Sequence, residues 1–132
     1  MERSEELRDL IRATFEAYSR GNASYIDRYT SSQEGVRLIG SDPNEWFEGE
    51  QAAEVLKQEL QEGGVRISSM GEIDAFVEGT VGWASSRLVW ASEDGREIST
   101  RWTGVFHQED GEWRMVQGHT SVGVANEELF GG

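Results

Sequence analysis

Two alternating runs joined by a tight turn constrain the fold of this chain more than any other stretch. The runs are ISTRWTGVFHQ and EWRMVQGHTS, and Asp110-Gly111 stands between them. A period of two is typical of a β-strand, and Asp-Gly supplies the positive φ that a tight hairpin needs. Both runs carry apolar side chains on both faces. The sequence therefore predicts two long antiparallel strands, covered by helices on one face and by something else, such as a second subunit, on the other.

Helical spacing of apolar residues predicts three helices before this hairpin. The first has an apolar stripe from Leu7 to Tyr18 and Ser4 as its N-cap. Asn22 is expected to cap a short second helix. A short strand over residues 35–40 follows, and the third helix is predicted from about Gly49 to Glu62.

From Val65 onward the pattern is that of strands connected mostly by short glycine turns. The order is thus helix, helix, strand, helix and then an antiparallel meander. Segregated helices and strands predict an α+β fold rather than a parallel doubly wound sheet. No repeat or linker interrupts the pattern, so residues 1–132 are expected to form one domain.

Charge and composition narrow the classes of partner. The formal net charge of -13 argues against nucleic acid, which needs clustered Lys and Arg, and against an anionic membrane surface. The chain has no cysteine, which excludes a disulfide framework and a thiol nucleophile. No hydrophobic leader and no run of roughly 20 apolar residues is visible, so we expect a cytoplasmic protein.

Three segments, together with the order of the elements, resemble a known superfamily. They are GSDPNEWFEG before the third helix, the strand around Trp83, and the ending DGEWRMVQGHTS, which contains a W-x-x-V-x-x-H-x-S pattern. Over about Glu5 to Ser121 the chain resembles the nuclear-transport-factor-2-like superfamily, and within it the SnoaL-like, polyketide-cyclase-like branch. Members that share the pattern differ in activity, so the resemblance indicates a fold and a branch but no reaction.

The resemblance implies a conical half-barrel in which three N-terminal helices pack on a strongly curved, mixed, mainly antiparallel sheet. It also implies a deep cavity between the helices and the concave face. The family uses that cavity for isomerases, cyclases, dehydratases, epoxide hydrolases and binding domains. Many members pair through the outer face of the sheet, so a homodimer is expected here.

Asp42 and His119 are the candidate catalytic residues. In the ketosteroid-isomerase branch a carboxylate just after the first strand is the general base, and Asp42 falls near that place. The alternative is that Asp42 caps the turn at Pro43 and needs no substrate. His119 could titrate near neutral pH. The family pattern carries histidine there in members of different activity, which favours a structural hydrogen bond instead.

Aromatic side chains give the strongest indication of a ligand. Several belong to elements that line the cavity in this family, and with Thr120 as an orienting polar group they would suit a flat hydrophobic or conjugated molecule. The candidate binding residues are Tyr18, Trp46, Phe47, Trp90, Trp102, Phe106 and Thr120. The alternative is that these rings simply fill the cone. The two histidines, His107 and His119, form no recognisable ligand set, so no metal site is predicted.

The sequence therefore predicts a small-molecule-binding domain with an apolar, aromatic-lined pocket and no cofactor. A second hypothesis is a cofactor-independent cyclase, isomerase or dehydratase with Asp42 or His119 as general base. A third is a structural dimerisation module. The expected partners are a second copy of the chain and a hydrophobic small molecule.

Overall fold

The computed structural model describes residues 1–131 and contains one eight-stranded sheet and four helices. The helices are α1 (Glu5–Ser19), α2 (Ser24–Tyr29), α3 (Glu50–Glu62) and α4 (Asn126–Phe130). The strands are β1 (Glu2–Arg3), β2 (Arg37–Ile39), β3 (Trp46–Glu48), β4 (Val65–Met70), β5 (Asp74–Glu78), β6 (Val81–Ser92), β7 (Glu97–Glu109) and β8 (Glu112–Ser121). The helices α1 to α3 precede the long strands, as the sequence predicted.

The sheet follows the order β1-β5-β6-β7-β8-β2-β3, and β4 pairs with β6 beyond the end of β5. Every ladder is antiparallel except that between β2 and β8, which is parallel. The sheet is curved and does not close into a barrel. The predicted α+β class and the mixed, mainly antiparallel sheet are therefore confirmed.

Helix positions agree closely with the prediction, and the differences are at short elements. Ser4 caps α1, because its Oγ accepts a hydrogen bond from the Leu7 N–H at 3.1 Å. The predicted cap of α2 is wrong by one residue: Ala23 is the N-cap, and the Asn22 side chain accepts from the Ser24 N–H at 3.1 Å. Strands β1 and β3 and helix α4 were not predicted. Each has at most five residues, too few to show a period.

A bulge in β8 changes which side chains face the core. Val105 pairs with Gln117, but the next residue of β7, Phe106, pairs with Met115, so Val116 is the extra residue. Strict alternation would put His119 on the face of Trp113. The bulge reverses the alternation, so Trp113 is buried while His119 is exposed. Alternation counted along the sequence alone therefore does not hold between these two residues.

The core lies between α1 and the inner face of the sheet. Leu7 and Ile11 of α1 are 0% and 2% exposed and pack in one cluster with side chains of β6 and β7. Two glycines allow this close approach. A Cβ at Gly82 would lie 2.6 Å from the Leu7 side chain, and one at Gly104 would lie 2.5 Å from the Trp102 ring.

Candidate functional site

A cavity of about 520 Å³ lies between the inner face of the sheet and helices α1 and α3. Ligand pockets in proteins typically enclose roughly 300–1,000 Å³, so a small organic molecule would fit. Its lining is mostly apolar. Three lining residues, Val65, Ile98 and Val122, are 52%, 53% and 41% exposed and mark the mouth of the cavity.

Aromatic rings make up much of the wall and also pack against one another. Phe15 of α1 meets Trp102 edge to face with ring centres 4.9 Å apart. Tyr18 meets Trp90 in the same way at 5.7 Å, and Trp102 contacts Phe106 at 6.3 Å. Edge-to-face pairs of this kind hold each ring in place. The rings therefore both fill the core and form the cavity wall. The two interpretations of the aromatic residues, ligand binding and core packing, each describe only part of their role.

The structure brings six of the nine predicted site residues to this cavity. Those lining it are Tyr18, Phe47, Trp90, Trp102, Phe106 and Thr120. Trp46, Asp42 and His119 are all exposed, and none of the three is among the lining residues. The predicted aromatic wall is thus largely in place, whereas the two predicted bases are elsewhere.

The position of Trp46 follows from β3, the short strand that the sequence did not reveal. Alternation along β3 turns Phe47 toward the cavity and its neighbour Trp46 away from it. The Trp46 side chain is 59% exposed in total, and its Nε1 donates a hydrogen bond to Glu48 Oε2 at 3.2 Å. Trp46 is therefore a surface residue of the sheet edge in this structure.

Asp42 builds the turn that precedes β3. Its Oδ1 accepts a hydrogen bond from the Asn44 N–H at 2.8 Å, and its carbonyl oxygen accepts from the Glu45 N–H at 2.9 Å. This arrangement is an Asx turn, the structural alternative considered for the sequence Asp42-Pro43. The geometry supports that alternative. It gives no support to Asp42 as a general base.

His119 lies on the outer face of the sheet because of the β8 bulge. Its register partners are Thr103 of β7 and Ile39 of β2. The neighbouring residue Thr120 faces the cavity instead. A base at position 119 would need to reach through the sheet, so the geometry does not support this role either.

Three carboxyl groups that the sequence analysis did not single out lie in the cavity wall: Glu45, Glu59 and Glu62. Glu45 is held by the turn before β3, where its Oε1 accepts a hydrogen bond from the Asp42 N–H at 2.9 Å. A Cβ at Gly40 would lie 2.6 Å from the Glu45 Cδ, so only glycine leaves room for this side chain. Asp42 thus positions a cavity carboxylate and does not supply one.

Glu59 reaches the cavity from α3. Burial raises the pKa of Glu59, and the negative charge of Glu45 and a hydrogen bond with it raise this pKa further. The same environment acts on Tyr18. Burial, and then the charges of Glu59 and Glu45, raise the pKa of Tyr18 to about 12. Tyr18, Glu45 and Glu59 therefore form one polar group in an otherwise apolar wall. We call these three residues the polar cluster.

A sequence signal for Glu59 existed. Ala52, Val55 and Leu56 form the apolar stripe of α3, and Glu59 continues it, because it lies seven residues after Ala52 and four after Val55. A charged residue at an inward position is the unusual feature that reveals a site. Glu45 had a weaker signal, since it shares the face of Phe47 only once β3 is recognised as a strand.

The charged residues of the wall all have one sign. Glu45, Glu59 and Glu62 contribute to it, and the wall contains no Lys, Arg or His among residues 1–131. Within that described part of the chain, no group of three or more His, Cys, Asp or Glu is arranged to hold a metal ion. The chemistry available in the cavity is therefore that of carboxyl, phenol and hydroxyl groups beside aromatic faces.

A model of the SnoaL-like domain family matches residues 7–125. This chain belongs to the SnoaL-like family. The resemblance to the nuclear-transport-factor-2-like superfamily is thereby confirmed. No curated protein matches this SnoaL-like chain at a significant level in sequence. No helix within residues 1–131 is both long and apolar enough to cross a bilayer.

Solved structures share the fold of this SnoaL-like chain at low identity. A nuclear-transport-factor-2-like protein of unknown function from Pseudomonas putida is 16% identical, with a TM-score of 0.77 over 93% of this chain and 88% of that one. A candidate dehydratase from Streptomyces avermitilis is 14% identical, with a TM-score of 0.77 over 92% and 96% of the two chains. A protein from Salmonella enterica is 14% identical, with a TM-score of 0.74 over 92% and 91%. These likenesses confirm the fold.

Proposed function

We propose that this SnoaL-like protein binds a hydrophobic small molecule in the cavity. The observation that carries the proposal is the cavity of about 520 Å³ itself. Aromatic side chains line this cavity, and its wall contains the polar cluster. Apolar pockets with a few convergent polar groups are the usual form of a small-molecule site. The exposed apolar side chains at the mouth, such as Ile98 and Val122, would lose water contact when a ligand enters.

A pair of threonine variants tests this proposal. Thr120 faces the cavity, and Thr103 of the neighbouring strand is exposed on the opposite face. Pyrenemethanol is a suitable probe, because it is flat, neutral and fluorescent, and energy transfer from the tryptophans reports its binding. We expect Thr120→Phe to weaken binding at least about tenfold by filling the cavity, and Thr103→Phe to leave it unchanged. Equal binding by both variants, or no binding by the wild type, would overturn the proposal.

The polar cluster favours a second candidate function, a cofactor-independent enzyme that moves a proton. A carboxyl group with a raised pKa beside an ionised carboxylate supplies an acid and a base together. Glu45 would remove a proton from the carbon next to a ketone, while Glu59 would donate one to the carbonyl oxygen and form the enol. A candidate dehydratase from Streptomyces avermitilis has the same fold, which supports considering an enzyme here.

Hydrogen–deuterium exchange tests the enzyme candidate. Tetralone in D₂O should exchange its acidic C–H protons faster with the protein than in buffer, as measured by proton NMR. We expect Glu45→Gln and Glu59→Gln each to lower the excess rate by roughly a hundredfold. Asp42→Asn is the matched control, because the amide oxygen retains the acceptor of the turn. A rate equal to that of buffer, or a loss caused by Asp42→Asn alone, would refute the assignment.

We further propose that two copies of the chain pair through the outer face of the sheet. Phe76, Trp83 and Val105 stand in register across β5, β6 and β7 on the face opposite α1. Phe76 and Trp83 stack with ring centres 6.4 Å apart, and the Arg3 guanidinium lies over Phe76 at 4.9 Å. A strip of apolar side chains on the face opposite α1 supports a contact with a second copy.

A further inference from the structure

The charges in the cavity wall limit the kind of ligand that fits there. Its charged residues are Glu45, Glu59 and Glu62, and among residues 1–131 no basic side chain shares the wall with them. The negative charge of Glu45 also acts on Glu59 and helps to raise its pKa, after burial. An anionic ligand would meet like charge at this end of the cavity. A cation would meet opposite charge without having to displace a protein cation first.

Two threonine hydroxyls of the wall are already satisfied within the protein. The Thr14 hydroxyl donates to the Leu10 carbonyl oxygen at 2.8 Å, and the Thr100 hydroxyl donates to the Leu88 carbonyl oxygen at 2.9 Å. Neither hydroxyl needs a ligand to pair with its proton. Within residues 1–131, Trp90 Nε1 of the wall is buried without a hydrogen-bond partner. The carboxyl groups are the charged part of the wall, and they concentrate charge recognition at the end of the cavity near α3.

We propose that the ligand is a hydrophobic amine, whose ammonium group lies between Glu45 and Glu59 and whose apolar part lies among Trp90, Trp102 and Phe106. This inference rests on the proposed binding function and specifies its ligand class. An ammonium donates up to three hydrogen bonds, which matches a pair of carboxylates. The aromatic ring of Tyr18, which lies near both carboxyl groups, also attracts a cation and offers no such attraction to a neutral ligand.

The proton balance of the cavity gives a second signature. The groups that face Glu59 are Glu45 from the turn, Tyr18 from α1 and Glu62 from its own helix. Their effect favours the protonated form of Glu59 in the free protein. An ammonium beside it favours the ionised form, so binding at mildly acidic pH should release a proton. The affinity should rise as the pH rises through the pKa of Glu59 in the free protein, and fall where the amine itself loses its proton.

The test compares three probes of one shape. Pyrenemethylamine, pyrenemethanol and pyrenecarboxylate share the same ring system and differ in charge. We expect the amine to bind the wild-type protein about tenfold more tightly than the alcohol, and the carboxylate to bind most weakly. Calorimetry of the amine in two buffers of different ionisation enthalpy should show proton release, which does not depend on any variant.

Isosteric variants localise the effect. Glu45→Gln and Glu59→Gln should each bring the affinity for the amine close to that for the alcohol, while the affinity for the alcohol stays constant. Glu54→Gln is the matched control, because Glu54 belongs to the same helix but pairs with Lys57 at 2.9 Å outside the cavity. A constant affinity for the alcohol also shows that each variant is folded.

The outcomes separate the two proposals. Equal affinity for amine and alcohol, or an amine affinity that Glu45→Gln and Glu59→Gln leave unchanged, would overturn the amine assignment while the binding function stands. Failure of all three probes to bind would overturn the binding function and the amine assignment with it. Tight binding of the carboxylate would contradict the charge argument directly.

Discussion

Single side chains in unusual places define the site of this protein. Glu59 is a carboxyl group at an inward position of an amphipathic helix, and it pairs with a second carboxyl group, Glu45. Burying charge without an opposite charge is unfavourable, and proteins keep such groups mainly where they serve a function. Glu59 is therefore the residue whose chemistry most distinguishes this cavity from an ordinary apolar core.

Replacement of Glu59 should change the pH dependence of stability. The pKa of Glu59 is raised from its usual value of 4.5, so folding favours the protonated form. That contribution is fully present below pH 4.5 and is lost as the pH rises through the pKa of the folded protein. Glu59→Gln does not titrate, so its free energy of unfolding should exceed that of the wild type by more at pH 8 than at pH 4.

Denaturant unfolding of both proteins across this pH range measures the difference. Glu54→Gln is again the control, because its side chain is 71% exposed and its removal should give no comparable trend. The contrary outcome is a difference in free energy of unfolding between Glu59→Gln and the wild type that stays constant or narrows toward pH 8. That result would show that ionisation of Glu59 does not destabilise the folded protein.

Two local elements decide which residues enter the cavity. The turn over residues 40–45 directs Glu45 inward and uses Asp42 for its own hydrogen bonds. The bulge at Val116 directs Thr120 inward and His119 outward. The turn and the bulge reassign the candidate chemistry from Asp42 and His119 to Glu45 and its neighbour in space, Glu59.

At the scale of the whole molecule, the sheet separates the sites of the two proposed functions. Its inner face forms the cavity with α1 and α3, and its outer face carries the apolar strip of Phe76, Trp83 and Val105. Pairing through the strip would leave the cavity of each copy intact, because the two lie on opposite faces. A ligand-binding protein and a homodimer are therefore compatible descriptions of this molecule.

Substitution of Trp83 should weaken self-association. Trp83→Glu places a charge in the strip, and we expect the dimer dissociation constant to rise at least about tenfold, as measured by light scattering after size exclusion or by sedimentation. Asn44→Glu adds the same charge in an exposed turn and should leave association unchanged. A wild-type protein that is monomeric at tens of micromolar would refute pairing through this face.

The sequence by itself determined the elements and their packing class. Periods of 3.6 and 2 located α1 to α3 and the long strands, since each period records which side chains must leave water. The family resemblance, and not the period, suggested that Trp90, Trp102 and Phe106 line the cavity, where the structure places them. The positions of the elements depend on interactions that are local in the chain or repeat along it, so a pattern is enough to reveal them.

Only the tertiary structure decided the polar part of the site. Glu45 and Glu59 are fourteen residues apart in the chain, and the contact between them depends on how α3 packs beside the turn before β3. The bulge that turns His119 outward interrupts the period of two along β8. Contacts between distant segments and breaks in a repeat leave no periodic signal, because their cause is the packing of the complete fold.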